Sequence, residues 1–94
     1  MATTDLTFEH NGVRYESQPV QLNGNVGIHL EHSDKIGFVG LSQRMGGSTF
    51  SSFKSDYYIG GTYDIAITGV IKGMFIKVEC DNKPDMAQIL VPDE

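Results

Sequence analysis

The chain has 94 residues, of which 39% are apolar and 20% charged, and twelve acidic against seven basic side chains give a formal charge of −5. This length excludes two separately folded domains, and the apolar content excludes a disordered chain, so one β domain over residues 1–94 is expected. The acidic balance disfavours binding to nucleic-acid phosphates, which depends on Lys and Arg.

The numbers of glycine and cysteine residues narrow the class of protein further. Eleven glycines without a collagen period are typical of turns and bulges in a β-rich protein. A single cysteine, Cys80, excludes an intramolecular disulfide and favours a reducing compartment. The first ten residues do not resemble a signal peptide, and no apolar run approaches the roughly 20 residues that span a bilayer. We therefore expect a cytoplasmic protein without membrane contact.

Two asparagine-glycine turns are predicted in the first third of the chain. Asn11-Gly12 suits a two-residue type I′ hairpin turn. A three-residue loop over 23–25 keeps the flanking apolar residues on one face, because register follows the buried side. The predicted opposite pairs are His10 with Val13, Glu9 with Arg14, Phe8 with Tyr15, Leu22 with Val26, and Val20 with Ile28. The alternation also places Val26, Ile28, Leu30 and His32 on one face, and His29 and Glu31 on the other.

A strand over 36–41 precedes a segment, 42–61, that has no apolar period. Because it is long for a structureless connection, it is either functional or holds a short helix over 49–58. Phe50, Phe53 and Tyr57 have helical spacing and Thr49 suits a cap, whereas the serines and adjacent tyrosines oppose a helix.

A ribbon over 62–80 follows, with a predicted two-residue turn at Lys72-Gly73. In this register one aliphatic face must be core, and the other face is mostly polar. Cys80 is then a packed small side chain. The core face holds Ile65, Ile67, Ile76, Val78 and Cys80, and the outer face holds Ala66, Thr68, Lys77 and Glu79. The segment MAQILV, 86–91, forms a last strand.

The order of these elements predicts the fold class. Short strands with closely spaced turns indicate an all-β protein, or a mainly β protein with one short helix. We expect a small antiparallel barrel or sandwich of about six or seven strands.

Catalytic motifs are not supported. Ser51-Ser52-Phe53-Lys54 matches an S-x-x-K spacing but lacks the further motifs of the acylating enzymes that use it. His29 and His32 point to opposite strand faces, so they do not share a metal. We expect no enzyme and no cofactor.

Segment 33–62 is the best candidate for binding. Its three basic and two acidic side chains give +1 in a chain of −5, and it holds Phe50, Phe53, Tyr57 and Tyr58 among the nine aromatic residues. Loops rich in Gly, Ser and Tyr make adaptable contacts. Alternatively, Phe50 and Phe53 cover an open barrel end. The candidate contact residues are Arg44, Phe50, Phe53, Lys54, Tyr57 and Tyr58.

Ile67-Thr68-Gly69-Val70 and Gly73-Met74-Phe75-Ile76 lie on either side of the predicted turn of the ribbon. With these two motifs, residues 61–94 resemble the first strands of S1-type OB-fold RNA-binding domains. In that family the other strands follow this ribbon, so a match implies a permuted order, and the histidine usual on the third strand is missing here. The resemblance implies stacking of single-stranded nucleic acid beside basic side chains. The face it implies holds Val70, Lys72, Phe75 and Lys77.

Three functions are therefore weighed. The preferred one is a non-catalytic module that binds another protein through 42–61 and the sheet edges, as accessory, inhibitor or assembly factors of bacteria and phages do. Exposed edges also favour a homo-oligomer. The alternatives are single-stranded nucleic-acid binding and small-molecule or sugar binding by the same segment.

Overall fold

Two antiparallel β-sheets make up the computed structural model, which describes residues 2–32, 37–58 and 61–91. The four-stranded sheet has the order β1-β10-β5-β8, and the six-stranded sheet has the order β2-β3-β9-β6-β7, with β4 paired to β9 beside β3. The strands are β1 (Ala2–Asp5), β2 (Phe8–His10), β3 (Tyr15–Ser17), β4 (Val20–Gln21), β5 (Val26–His32), β6 (Gly37–Arg44), β7 (Ser51–Tyr58), β8 (Gly61–Ile67), β9 (Phe75–Cys80) and β10 (Met86–Val91).

The all-β prediction is confirmed, and the arrangement is a two-sheet sandwich. The described residues contain no helix, and their two sheets do not close into a barrel. Ten strands occur within the described residues where six or seven were expected, and β1 and β7 are the two that the sequence pattern did not predict. Within the same residues, no helix has the length and apolarity to cross a bilayer.

The core is formed by the inward faces of both sheets. Along β5 and β9 every second side chain is buried, as the period of a half-buried strand requires. The predicted burial of alternate aliphatic residues on β5, β8 and β9 is thereby confirmed. The core residues are Leu6, Leu22, Val26, Ile28, Leu30, Val39, Leu41, Ile65, Ile67, Met74, Ile76, Val78, Cys80, Ala87 and Ile89. Cys80 is completely buried, and burial raises the pKa of its thiol to about 12.

Of the two alternatives for segment 42–61, the short helix over 49–58 is wrong. Ser51–Tyr58 is strand β7, which pairs antiparallel with β6. The open edge of β6 supplies a complete ladder of backbone partners, and aromatic and small hydroxyl residues fit a pleated strand better than a helix. Segment 42–61 is therefore largely a hairpin arm rather than an irregular connection.

The predicted hairpin over 62–80 is also wrong, although its buried face is right. β8 pairs with β5 in one sheet, whereas β9 pairs with β3, β4 and β6 in the other. The tight turn does form, since the Met74 N–H donates to the Ile71 carbonyl at 3.0 Å. Gly69 and Gly73 have positive φ of 68° and 93°, which lets the chain turn from one sheet to the other. The segment is a corner between sheets.

The loop over 23–25 is a second corner, so the predicted pairing of β4 with β5 is wrong. Val20 pairs with Ile76, and β5 starts in the opposite sheet. The two corners contact each other. Leu22 donates to the Met74 carbonyl at 2.8 Å and accepts from the Gly73 N–H at 2.7 Å. These bonds continue the β4–β9 ladder to the end of each corner.

The first hairpin forms with a longer loop than predicted. The Asn11 N–H donates to the Arg14 carbonyl, and the Asn11 side-chain oxygen accepts from the N–H groups of Val13 and Arg14. This side-chain cap closes a four-residue loop and moves the pairing by two residues. The resulting pairs are Phe8 with Ser17, Glu9 with Glu16, and His10 with Tyr15. The predicted pair of Glu9 with Arg14 does not form.

A matched pair of isoleucines tests the core. Ile76 is fully buried in β9, whereas Ile71 in the corner is 57% exposed. We expect Ile76→Ala to lower the free energy of unfolding by about 2–5 kcal/mol, because it leaves a cavity. Ile71→Ala should change it by less than about 0.5 kcal/mol. Urea unfolding followed by circular dichroism measures both, and equal losses would contradict the sandwich core.

Candidate strand-addition edge and aromatic face

The β7 edge, meaning the side of Ser51–Tyr58 that faces away from β6, is the first feature of the site. β7 ends the six-stranded sheet and, within the described residues, pairs with β6 alone. The side chains of 51–57 are all exposed, with Tyr57 at 75%. A strand paired on one side only leaves backbone N–H and C=O groups available to a further strand.

A bulge interrupts the ladder between β6 and β7. Leu41 lies opposite Lys54 and Ser42 lies opposite Ser52, so Phe53 is the extra residue. From Lys54 to Tyr58 the pairing is regular. The Tyr57 N–H donates to the Asp56 carboxylate at 2.9 Å. In the regular half of the β7 edge, the Asp56 carboxylate is therefore hydrogen-bonded to the Tyr57 backbone N–H.

A cation–aromatic cluster of Arg44, Phe50, Phe75 and Lys77 lies beside β7. The Arg44 guanidinium carbon is 4.5 Å from the Phe75 ring centroid and 5.3 Å from that of Phe50. The Lys77 ammonium is 4.8 Å from the Phe50 centroid. Arg44 and Phe75 are opposite each other in the β6–β9 register, which fixes the cluster on the outer face of the six-stranded sheet.

Polar contacts hold both cations of this cluster. The Lys77 ammonium donates to the Glu16 carboxylate at 3.1 Å, and the Arg44 guanidinium donates to the Gly47 carbonyl at 2.7 Å. The hydrogen bond from Lys77 keeps the pKa of Glu16 below its ordinary value. Glu79 extends the row and accepts from the Ser42 hydroxyl at 3.4 Å. The face therefore combines aromatic rings with paired charges.

A second aromatic group at the other end of the sheet was not found from the sequence. The Arg14 guanidinium carbon lies 4.0 Å from the Phe38 centroid, and the Phe38 and Tyr57 rings meet edge to face. Asp81 anchors both, since it accepts from Arg14 at 3.2 Å and from the Phe38 N–H at 3.1 Å. The Phe38 ring covers Gly40, where a Cβ would come within 2.7 Å of it. The sequence signal for this contact was Phe38 two positions before Gly40 on one strand, because a glycine leaves room for the ring of an aromatic residue on the same face.

The structure brings together two residues from each predicted set. Arg44 and Phe50 come from the protein-binding set, and Phe75 and Lys77 come from the nucleic-acid set. Three others, Phe53, Lys54 and Tyr57, lie on β7 and not in the cluster. The side chain of Tyr58 lies outside the described structure. Val70 and Lys72 belong to the corner before β9, apart from the cluster.

His29 occupies the outer face of the four-stranded sheet. Its two ring nitrogens lie 2.5 Å from an Asp64 oxygen and 2.7 Å from a Glu31 oxygen. His32 points to the core side, as predicted for a residue three positions away. No group of three or more His, Cys, Asp or Glu residues within 2–32, 37–58 and 61–91 is arranged to hold a metal ion.

A depression of about 500 Å³ lies along β5, β8 and β10. It forms around Gly27, whose neighbours across the ladder are Ala66 and Leu90. This depression is in the four-stranded sheet, so it lends no support to small-molecule binding by segment 42–61.

Comparison of the chain with protein-family models, with curated proteins and with solved structures finds no significant match. The resemblance to S1-type domains therefore stays a prediction.

His29 predicts a pH dependence of stability. Hydrogen bonds to Glu31 and then to Asp64 raise the pKa of His29. A raised folded-state pKa stabilises the fold fully below the unfolded value of about 6.5, and this stabilisation disappears as the pH rises through the folded pKa. We expect His29→Gln to lower the free energy of unfolding near pH 6 and to have less effect above pH 8, while His10→Gln serves as the control. A loss that does not vary with pH would contradict the assignment.

Proposed function

We propose that this protein is a non-catalytic protein-binding module that adds an extended segment of a partner to the β7 edge. One observation carries the proposal: an eight-residue strand ends the larger sheet, pairs on one side, and keeps the side chains of 51–57 exposed. Edge strands recognise extended peptides through main-chain hydrogen bonds, and neighbouring side chains supply the specificity.

The aromatic face, meaning the cation–aromatic cluster together with Arg14, Phe38 and Tyr57, supports this proposal because it lies next to the strand. Tyr57 is on β7 itself and contacts Phe38, and Phe50 immediately precedes β7. Tyr, Phe and Arg are the residues that most often anchor protein interfaces. A segment lying along β7 therefore has anchors at both ends of the strand. The paired charges of the face suit a protein surface better than a bare polyanion.

The composition of β7 fits a strand that accepts a partner. It has eight residues and no proline, whereas many protected edges are very short or contain proline; the protecting features that β7 does have are one lysine and the bulge at Phe53. The bulge at Phe53 ends the regular ladder and limits how far a partner strand pairs.

Proline substitution tests the β7 edge. Ser55→Pro removes a backbone N–H from the middle of β7, and prolines are tolerated at sheet edges where the N–H faces away from the ladder. Ser48→Pro, in the loop before β7, is the matched control. Immobilised wild type, Ser55→Pro and Ser48→Pro proteins are compared for capture from lysate of the native host.

We expect bands that wild type and Ser48→Pro retain and Ser55→Pro loses. Circular dichroism and urea unfolding establish that all three baits are folded. Capture that Ser55→Pro leaves unchanged would refute the β7 edge as the binding surface.

Single-stranded nucleic-acid binding is the second candidate, and the cation–aromatic cluster favours it. Two rings and two cations on one sheet face are what base stacking beside a phosphate chain requires. Against it, Lys77 is paired with Glu16, Glu79 lies in the same row, and the chain carries −5. The protein-binding function is therefore preferred.

A filter-binding titration with a labelled oligothymidine at low salt separates the two functions. The protein-binding proposal expects no retention that depends on salt. Retention that weakens steeply as salt rises, is lost in Phe75→Ala and persists in the control Phe53→Ala would establish the second candidate instead.

A further inference from the structure

The sequence of β7 is self-complementary in one antiparallel register. Residues that lie opposite each other in an antiparallel pair point to the same face of the sheet. Within the regular segment 54–58, odd-numbered residues of one β7 therefore pair with odd-numbered residues of the other β7, and even-numbered residues with even-numbered residues. When β7 pairs with another β7 about a twofold axis, one residue therefore faces its own copy. The three central residues that can lie on this twofold axis are Lys54, Ser55 and Asp56.

Charge selects among these three registers. With Lys54 on the axis two ammonium groups face each other, and with Asp56 on the axis two carboxylates do. With Ser55 on the axis, each Lys54 faces Asp56 of the second copy, so two opposite-charge pairs form. Like charges directly opposite destabilise a strand pair and opposite charges stabilise it.

Lys54 and the Asp56 carboxylate oxygen that does not accept from the Tyr57 N–H are available for these contacts. Both side chains are exposed, and neither forms an ion pair within residues 2–32, 37–58 and 61–91. In the same register Tyr57 comes opposite Phe53, the bulge residue, just beyond the three regular pairs, and aromatic pairs stabilise strands. Phe53 is 38% and Tyr57 75% exposed, so both have surface to bury.

We propose that the segment added to the β7 edge is β7 of a second copy of this chain, paired antiparallel with Ser55 on the twofold axis. This inference rests on the proposed function and names its partner. The contact is closed, because each copy uses its single β7 edge. The two larger sheets become one continuous sheet that presents two cation–aromatic clusters on the same face.

A cysteine scan reads the register directly. Residues facing each other across antiparallel strands have Cα atoms about 4.5–5.5 Å apart, within disulfide range, whereas diagonal neighbours lie about 7–8 Å apart, beyond it. We expect Ser55→Cys to form a disulfide-linked dimer under mild oxidation, and Lys54→Cys and Asp56→Cys to stay uncrosslinked. Cys80 is buried, so the wild-type protein is the background control. Preferential crosslinking at 54 or 56 would overturn the register.

Charge reversal tests the same register without cysteine. Lys54→Glu and Asp56→Lys each place like charges opposite one another, and we expect both variants to be monomers in sedimentation velocity at concentrations where the wild type is a dimer. The double variant Lys54→Glu/Asp56→Lys restores opposite pairs and should restore the dimer. A double variant that remains monomeric while the wild type dimerises would overturn the register.

Two results separate this inference from the proposed function. A wild-type protein that sediments as a monomer up to its solubility limit overturns the self-pairing, while capture of other proteins that Ser55→Pro abolishes would leave the β7 edge as a binding surface. Capture insensitive to Ser55→Pro together with a monomeric wild type overturns both.

Discussion

Packing of two aliphatic strand faces against each other is the constraint on which this molecule depends. The middle strands β5 and β9 each bury every second side chain, and these rows meet in one core. A domain of this size buries little more than about 60% of its unfolded surface, so each fully buried aliphatic side chain matters. Loss of the face-to-face contact would expose both rows at once.

The corners after β4 and after β8, two of the places where the chain crosses between the sheets, follow from this constraint. The chain leaves the larger sheet after β4 and the smaller one after β8, and Leu22 exchanges backbone hydrogen bonds with the turn that precedes β9. Buried backbone groups need partners, and at the corners each crossing supplies them to the other. This mutual satisfaction keeps irregular segments packed beside the core.

Exposure of β7 has the same origin. The larger sheet has one more strand on its main path than the smaller sheet, and the side chains of 51–57 are exposed although β7 pairs with β6 everywhere except at the Phe53 bulge. The aromatic face next to it is held by paired charges, with Lys77 on Glu16 and Asp81 joining Arg14 to the Phe38 backbone. A ready strand edge flanked by fixed aromatic groups is an arrangement suited to recognising another chain.

The sequence by itself determined which faces are buried. Ile65, Ile67, Ile76, Val78 and Cys80 are in the core as their alternation requires, because the two-residue period of a strand is a local property. Tertiary structure decided which strands pair. An alternating strand buries the same side chains whether its neighbour lies in its own sheet or across the core, so local pattern does not separate a hairpin over 62–80 from a corner. For the same reason, the sequence does not predict the contact of Arg44 with Phe75, which depends on β6 pairing with β9. It also does not predict the strand over 51–58, because β6 supplies the backbone partners of that strand.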